Sequence, residues 1–405
     1  MDRFEKLKGL FNKNLAQTST NPLKLGFNRA EGIYLYDFHD NKYIDLISGI
    51  SVSNFGHSNP SIKQAIKDQV DAFTHLMVYG EYITSPQTLL SEKILSTINK
   101  TECAIQQSQK LDNIYFVNSG SEAIEGALKI AKKFTGRNEI IALNNSYHGS
   151  THGALSILGS SSYRQHFEPL LPNIKFINLN KEAELSQITK QTACVIIEII
   201  QSEAGVITAD QSYIELLNKR CKETGALLII DEVQTGMYRT GTFCAFEHYN
   251  VQPDILVLAK GIGAGMPLGA FISSTNIMSC IKESPPLGHI TTFGGHPVSC
   301  AAALAAFNLI DYNFTKSIVS KSELFKKLLK HNKIKEVRGM GLLLAVDFDD
   351  TQLNMNVINR CINKNIIVDW FLHNDKTMRI APPLIITEDE IKNVCATIIS
   401  ILNAI

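Results

Sequence analysis

Three short stretches carry the residues best suited to chemistry. Lys260 follows the apolar run 255–259 and is succeeded at once by Gly261, Gly263 and Gly265. A lysine leaving a buried strand loses hydration, its pKa falls, and the neutral amine becomes a nucleophile toward carbonyls. The plainer reading is a snorkelling surface lysine. Asp231 and Glu232 close a second apolar run, in ALLIIDEVQTG at 226–236. At the carboxyl end of a strand in an open α/β sheet an Asp faces the ligand crevice. There it can hold Mg²⁺, act as a base or pair with a cationic ring nitrogen; otherwise it is an N-cap or a solvated carboxylate. The third stretch, VNSGSEAIEGALKIAKKF at 117–134, passes from a strand end through Ser119-Gly120-Ser121 into a helix. Ser119 and Glu122 fit the S-x-x-E capping box. The amides of that first turn form an anion site, and Gly120 lets an anion approach the backbone. A Ser-rich turn of purely structural purpose is the competing reading.

The glycines after Lys260 invite a nucleotide-loop reading, which the spacing disfavours. G-x-G-x-G is not G-x-G-x-x-G, and the next segment, 266–272, reads as strand rather than as a long helix. Space around a lysine-bound planar cofactor suits these glycines better.

The elements that must position these residues follow from hydrophobic periodicity. Short apolar runs at 114–117, 139–143, 174–177, 193–200, 226–230, 255–259 and 268–272 read as strands, and 121–134 and 212–224 carry helical spacing. Several runs are apolar throughout, which predicts a sheet covered by helices on both faces, a doubly wound α/β domain. From 296–310, a long helix, the pattern changes to helix 316–330, strand 341–348, helix 353–363, strands near 366 and 378, and a last helix from about 387. This predicts a smaller α+β lobe. Residues 1–60 carry their own helix and a hairpin over 33–46 with His39-Asp40-Asn41 at the turn. The expected division is 1–60 joining the small lobe, 61–300 as the large domain, and 301–405 as the small domain. The polar stretch 106–113 reads as a surface loop.

Composition narrows the function classes. Lys plus Arg and Asp plus Glu are both 39 in 405 residues, so no basic field points to nucleic acid or an anionic membrane, and a small ligand is favoured. The eight cysteines are scattered, with no C-x-x-C pair, and read as buried thiols of a reducing compartment. The N-terminus lacks an apolar h-region, and no apolar run approaches the roughly 20 residues of a membrane span, so a cytoplasmic protein is expected. No metal site is expected.

Taken together, N-S-G-S-E-A, Y-H-G, D-E-V-Q-T-G, A-K-G, T-T-F-G-G-H-P and R-I-A-P-P-L stand in the order and rough spacing of the class III pyridoxal-phosphate aminotransferases. The chain resembles this family from about residue 20 to its C-terminus. The group includes the acetylornithine, ornithine and 4-aminobutyrate enzymes. The resemblance implies fold type I: a large, mostly parallel sheet domain with helices on both faces, plus a smaller α+β lobe. It implies pyridoxal 5'-phosphate as cofactor and a homodimer with shared active sites.

By the same resemblance Lys260 is the lysine that captures the cofactor aldehyde and later moves a proton at the substrate carbon. Asp231 holds the pyridine nitrogen protonated, which makes the ring an electron sink. Gly120 and Ser121 donate amides to the phosphate, Tyr147 and Val233 cover the two ring faces, and Gln234 bonds the phenolic oxygen. Glu198 belongs to the same cofactor pocket, and Thr292 reaches the phosphate of the neighbouring subunit. Arg379 matches the arginine that grips the carboxylate of 2-oxoglutarate or glutamate, and Glu203 the glutamate that masks it. His148 stays unassigned as a structural histidine. The implied reaction moves an amino group from an ω-amino acid to 2-oxoglutarate by a ping-pong mechanism; the alternative is an aminomutase, racemase or decarboxylase on the same fold. One departure stands out. Where acetylornithine and ornithine enzymes usually carry Arg after the aromatic-x-Gly motif, this sequence has Ser150, and a hydroxyl cannot replace a guanidinium fork. Unless another arginine such as Arg164 fills the role, donors with a different or absent distal carboxylate are favoured, such as 4-aminobutyrate, lysine or a diamine.

Overall fold

The computed structural model describes residues 3–100, 110–249 and 251–405. At its centre is a seven-stranded sheet in the order Asn113–Val117, Gly269–Ser273, Ile255–Leu258, Leu227–Asp231, Thr192–Ile197, Glu139–Leu143 and Ile174–Ile177. Only Gly269–Ser273 runs antiparallel to its neighbours; the other pairings are parallel. All seven expected strands are present. Their unbroken apolar character has a direct cause. Ile141, Val195, Ile197, Leu228, Ile230, Leu256 and Leu258 point into one buried cluster. Their chain neighbours Ile140, Cys194, Ile196, Leu227, Ile229, Ile255 and Val257 point into another on the opposite face. A strand with both faces buried loses the polar half of its period-2 pattern.

The helix Gly120–Thr135 covers one face with Ala123, Ile124, Ala127, Leu128 and Ala131. Its cap departs from the expected reciprocal box. Ser119 accepts from the Glu122 amide, but the Glu122 carboxylate turns one residue further back, to the backbone amide of Asn118 at 2.7 Å and its side-chain amide at 2.9 Å. The run 193–200 is not one strand: it stops at Ile197, Glu198 turns out of the sheet, and Ile200–Gln201 pairs separately with Ile207–Thr208. Of the polar stretch 106–113, residues 106–109 lie outside the described residues, and Asn113 already opens the first sheet strand.

A second four-stranded sheet, in the order Glu336–Met340, Leu343–Asp347, Asn374–Ile380 and Asp369–Phe371, is antiparallel throughout. The helices Tyr312–Leu328, Thr351–Asn363 and Glu388–Asn403 pack around its own apolar cluster. The expected N-terminal hairpin pairs Tyr34 with Ile44 and Tyr36 with Lys42. Its turn is tied by Asp37, whose carboxylate accepts from the amides of His39 and Asn41 at 2.8 and 2.9 Å. Lys42–Asp45 then pairs in parallel with Ile366–Ile367, which joins the N-terminal hairpin to the C-terminal sheet region.

One buried arginine crosses between these bodies. Arg239 donates to the carbonyls of Leu342 at 2.9 Å and Pro382 at 2.6 Å, and to Ser48 Oγ and Asn54 Oδ1 at 3.2 and 2.5 Å. Its side chain has no solvent exposure, and burial pulls its pKa down to about 9.

Candidate active site

At the carboxyl ends of the central strands a cavity of about 440 Å³ opens, and Gly120, Ser121, Tyr147, Glu198, Asp231, Val233, Gln234 and Lys260 all line it. Eight residues expected together from scattered motifs therefore meet in one place, at the position where open α/β sheets bind ligands. The strand Ile255–Leu258 ends just before Lys260, which begins a short 3₁₀ turn with a left-handed φ of 50°. Its Nζ donates to Gln234 Oε1 at 2.8 Å. Desolvation lowers the Lys260 pKa; the carboxylates of Glu203, Asp231 and Glu198 oppose that shift, and Arg379 adds to it. A reactive amine is consistent with that environment.

Asp231 ends the neighbouring strand. Its Oδ1 accepts from the Val233 amide at 2.9 Å, and its Oδ2 lies 2.7 Å from Nδ1 of His148. His148 is 3 % exposed, and its Nε2 has no partner among the described residues. Unassigned from sequence, His148 is set by the fold directly behind the central carboxylate. Glu198, where the strand Thr192–Ile197 breaks, accepts from the Tyr147 amide at 3.4 Å. Burial and the nearby carboxylates Asp231 and Glu203 raise its pKa well above the usual range.

The rim is tightly built. Gly149, at φ 130°, lies against Ser121, and a Cβ there would come within 2.1 Å of Ser121 Oγ. Tyr147 Oη bonds Ser150 Oγ at 3.1 Å. Val233 packs on Gly120, where an added Cβ would stand 3.0 Å from Cγ1. Thr292 is exposed and does not line this cavity. Arg164 is absent from it as well: its guanidinium sits 4.3 Å above the Phe176 ring. Arg379 and Glu203 do not line this cavity either.

Arg379 and Glu203 meet as a buried ion pair, Nη2 to Oε2 at 2.8 Å, with side-chain exposures of 3 % and 10 %. Glu203 Oε2 also accepts from the Leu372 amide at 2.9 Å. The Leu372 carbonyl in turn accepts from Tyr163 Oη at 3.1 Å. On its other flank Arg379 meets residues that the sequence reading did not single out. Asp369 Oδ1 lies 3.4 Å from Nε, the Trp370 carbonyl accepts from Nη2 at 3.2 Å, and Phe371 lies under the guanidinium at 4.6 Å. Strand pairing sets Asp369 directly opposite Arg379, a neighbour that no local spacing reveals.

A mostly parallel sheet carries a half-buried lysine, a strand-end Asp and a helix N-terminus around one cavity, as in pyridoxal-phosphate enzymes of fold type I. Among known proteins, residues 15–402 match the family described as aminotransferase class-III. The acetylornithine aminotransferase of Archaeoglobus fulgidus is 34 % identical over 393 residues, covering 96 % of this chain and 98 % of that protein. That of Clostridium acetobutylicum is 36 % identical over 380 residues, covering 90 % of this chain and 93 % of the relative. The crystal structure of ornithine aminotransferase from Toxoplasma gondii ME49 superposes with a TM-score of 0.89 at 27 % identity, covering all of this chain and 96 % of that one. The adenosylmethionine-8-amino-7-oxononanoate aminotransferase of Methanocaldococcus jannaschii gives 0.88 at 29 % identity, with 99 % coverage of both chains. The chain belongs to the class III aminotransferases and is a transaminase.

Enzymes of this class use pyridoxal phosphate, and one T. gondii ornithine aminotransferase structure is described with it at the active site. The residues here fit that group. Gln234 Nε2 is buried in the cavity wall without a partner among the described residues, and the first amides of Gly120–Thr135 lie outside the helical ladder at its positive end. Among the described residues no cluster of His, Cys, Asp or Glu suits a metal, and no helix is long and apolar enough to cross a membrane.

Proposed function

We propose that this transaminase takes the amino group from an ω-amine donor and passes it to 2-oxoglutarate in two alternating half-reactions. The Glu203–Arg379 pair carries the reading. With Glu203 on the guanidinium, a donor can present its terminal amine without a carboxylate being captured there. With Glu203 withdrawn, the same guanidinium offers a fork to a dicarboxylic 2-oxo acid.

The cofactor, when bound, supplies the aldehyde that accepts the amine and the ring that takes up electron density. The protein supplies the rest. Lys260 holds and moves the proton at the reacting carbon, its basicity moderated by desolvation. Asp231, backed by His148 and the Val233 amide, keeps a proton on the ring nitrogen. Gly120 and Ser121 bind the phosphate through backbone amides, Tyr147 and Val233 hold the ring between them, and Gln234 serves its phenolic oxygen. Glu198 completes the pocket wall beneath Tyr147.

The lobes divide this labour. Residues 61–300 carry the cofactor groups, and 301–405, joined by 1–60, carries Arg379. The relatives act on acetylornithine and ornithine by name; with Ser150 in place of Arg, and the Arg164 guanidinium over the Phe176 ring, a donor with a different or absent distal carboxylate, such as 4-aminobutyrate, lysine or a diamine, suits this chain better. A homodimer fits a second observation. A groove of about 790 Å³ lies beside the edge strand Asn113–Val117, and Tyr82, Ile83, Leu287 and Ile290 expose apolar side chains along it, Ile83 by 94 %. The exposed Thr292 follows on the same loop, where a second copy would bring it to its phosphate. Buried free thiols, such as Cys194 and Cys221, suit a cytoplasmic setting.

Spectral titration tests the reading. An ω-amine donor should convert the visible band of the lysine-bound cofactor, and 2-oxoglutarate should restore it. Borohydride should fix the cofactor on Lys260. Failure of any 2-oxo acid to restore the band, together with an intramolecular amino shift, would overturn the reading in favour of an aminomutase.

A further inference from the structure

Arg379 is flanked by two carboxylates held in different ways. Glu203 sits in the turn between Ile200–Gln201 and Ile207–Thr208, and its carboxylate makes one 2.8 Å contact with the guanidinium, at Nη2, while also accepting from the Leu372 amide. Asp369 is fixed by the backbone: it stands opposite Arg379 in the strand pair, 3.4 Å from Nε. The two touch different edges of the guanidinium. Among the described residues neither Nη1 nor Nε has a hydrogen-bond partner, so Asp369 meets Nε as a charge partner at 3.4 Å, and Nη2 is the nitrogen that Glu203 and the Trp370 carbonyl cover. A departing Glu203 therefore uncovers a terminal edge while the Nε edge keeps its charge partner.

We infer that Asp369 is the standing counter-ion of Arg379, which lets Glu203 leave without stranding a buried cation and so governs how readily the acceptor's carboxylate is admitted. The inference rests on the proposed exchange of Glu203 for a substrate carboxylate. Removing one member of a buried pair leaves an uncompensated charge and is strongly unfavourable; a third charge that stays in place moderates that cost along the path to the open site. Simple repulsion does not decide the outcome, because Glu203 and the incoming carboxylate face the same Asp369 across the same guanidinium. Asp369 is a positioning residue: it acts through Arg379.

The surroundings also make Asp369 titratable. Desolvation pushes its pKa up to about 6; Arg379 pulls it down, and Glu203 and Asp45 push it up. Other ionisable groups nearby are His57, paired with Asp45 at 2.8 Å, His373 in the turn beside Glu203, and Lys260. Protonating Asp369 removes the standing charge, so acceptor admission should weaken as pH falls through about 6.

The test is single-turnover kinetics of the holoenzyme, each half-reaction measured separately. Asp369→Asn should lower kcat/KM for 2-oxoglutarate by about tenfold and leave the ω-amine half-reaction within about twofold. It should also remove the acidic limb that the wild-type acceptor profile shows and the donor profile lacks. In a Glu203→Ala background, where nothing needs uncovering, the same substitution should cost less than about twofold. Equal losses in both half-reactions, or an unchanged acceptor half-reaction, would overturn the inference. If Asp369→Asn does not fold, the wild-type profiles decide, and an acceptor profile as flat as the donor profile refutes it. A wild-type enzyme that no 2-oxo dicarboxylate can reload would instead sink the two-substrate reading itself.

Discussion

Replacing His148 with Leu tests whether the histidine behind Asp231 serves the chemistry or only fills space. The 2.7 Å contact joins two side chains that are 0 % and 4 % exposed, so water cannot take over the lost bond. A hydrogen bond to a charged group contributes about 1.5–3 kcal/mol. If Asp231 needs that bond to hold a proton on the ring nitrogen in the transition state, kcat falls by roughly 10- to 150-fold, since each 1.36 kcal/mol is tenfold. His148→Asn places an amide nitrogen near the Nδ1 position and should recover most of the rate. The assay is single-turnover conversion of the cofactor band under saturating donor, with KM followed separately. KM should change little, because His148 meets Asp231 and the proposed substrate grip lies at Arg379. The reasoning is refuted if His148→Leu keeps kcat within about twofold of wild type, or if His148→Asn is as impaired as His148→Leu.

Three further outcomes follow from other contacts. Glu203→Ala removes the cover from Arg379 and should raise activity with α-amino dicarboxylates relative to ω-amines by about tenfold or more, read as a ratio of kcat/KM values from a donor panel. Arg239→Met strips four acceptors of their buried donor and should lower stability by about 3–5 kcal/mol, measured by urea unfolding. Burial pushes the Glu247 carboxyl up to about 7 from the ordinary 4.5. Its contribution is therefore present below pH 4.5 and lost as pH rises through 7, and Glu247→Gln should flatten the fall in unfolding free energy between pH 5 and 8 by on the order of 2 kcal/mol.

The large sheet was legible because burial on both faces leaves runs that are apolar at every position, as in 227–230 and Ile255–Leu258. The same uniformity hid where a strand ends. The run 193–200 is apolar on both sides of Glu198, so the strand end at Ile197 reads as a single polar position inside one strand. The cavity-lining residues Gly120, Ser121, Asp231 and Lys260 were legible because they sit at a helix start or just past strand ends, positions that local pattern identifies. His148 and Asp369 were not. His148 follows Tyr147 in plain view, yet its partner lies 83 residues away along the chain. Asp369 meets Arg379 through the register of a hairpin, and a shift of one residue would turn it to the other face. Contacts of that kind are set by tertiary placement.

The antiparallel strand Gly269–Ser273 makes Lys260 part of a hairpin within one sheet. Pairing so local closes early and at small entropic cost. Lys260 is thus carried by the central sheet, whereas Arg379 sits on the separate C-terminal sheet. The bonds of Arg239 and the Glu203 contact tie the two together, and so hold the distance between the amine and the guanidinium.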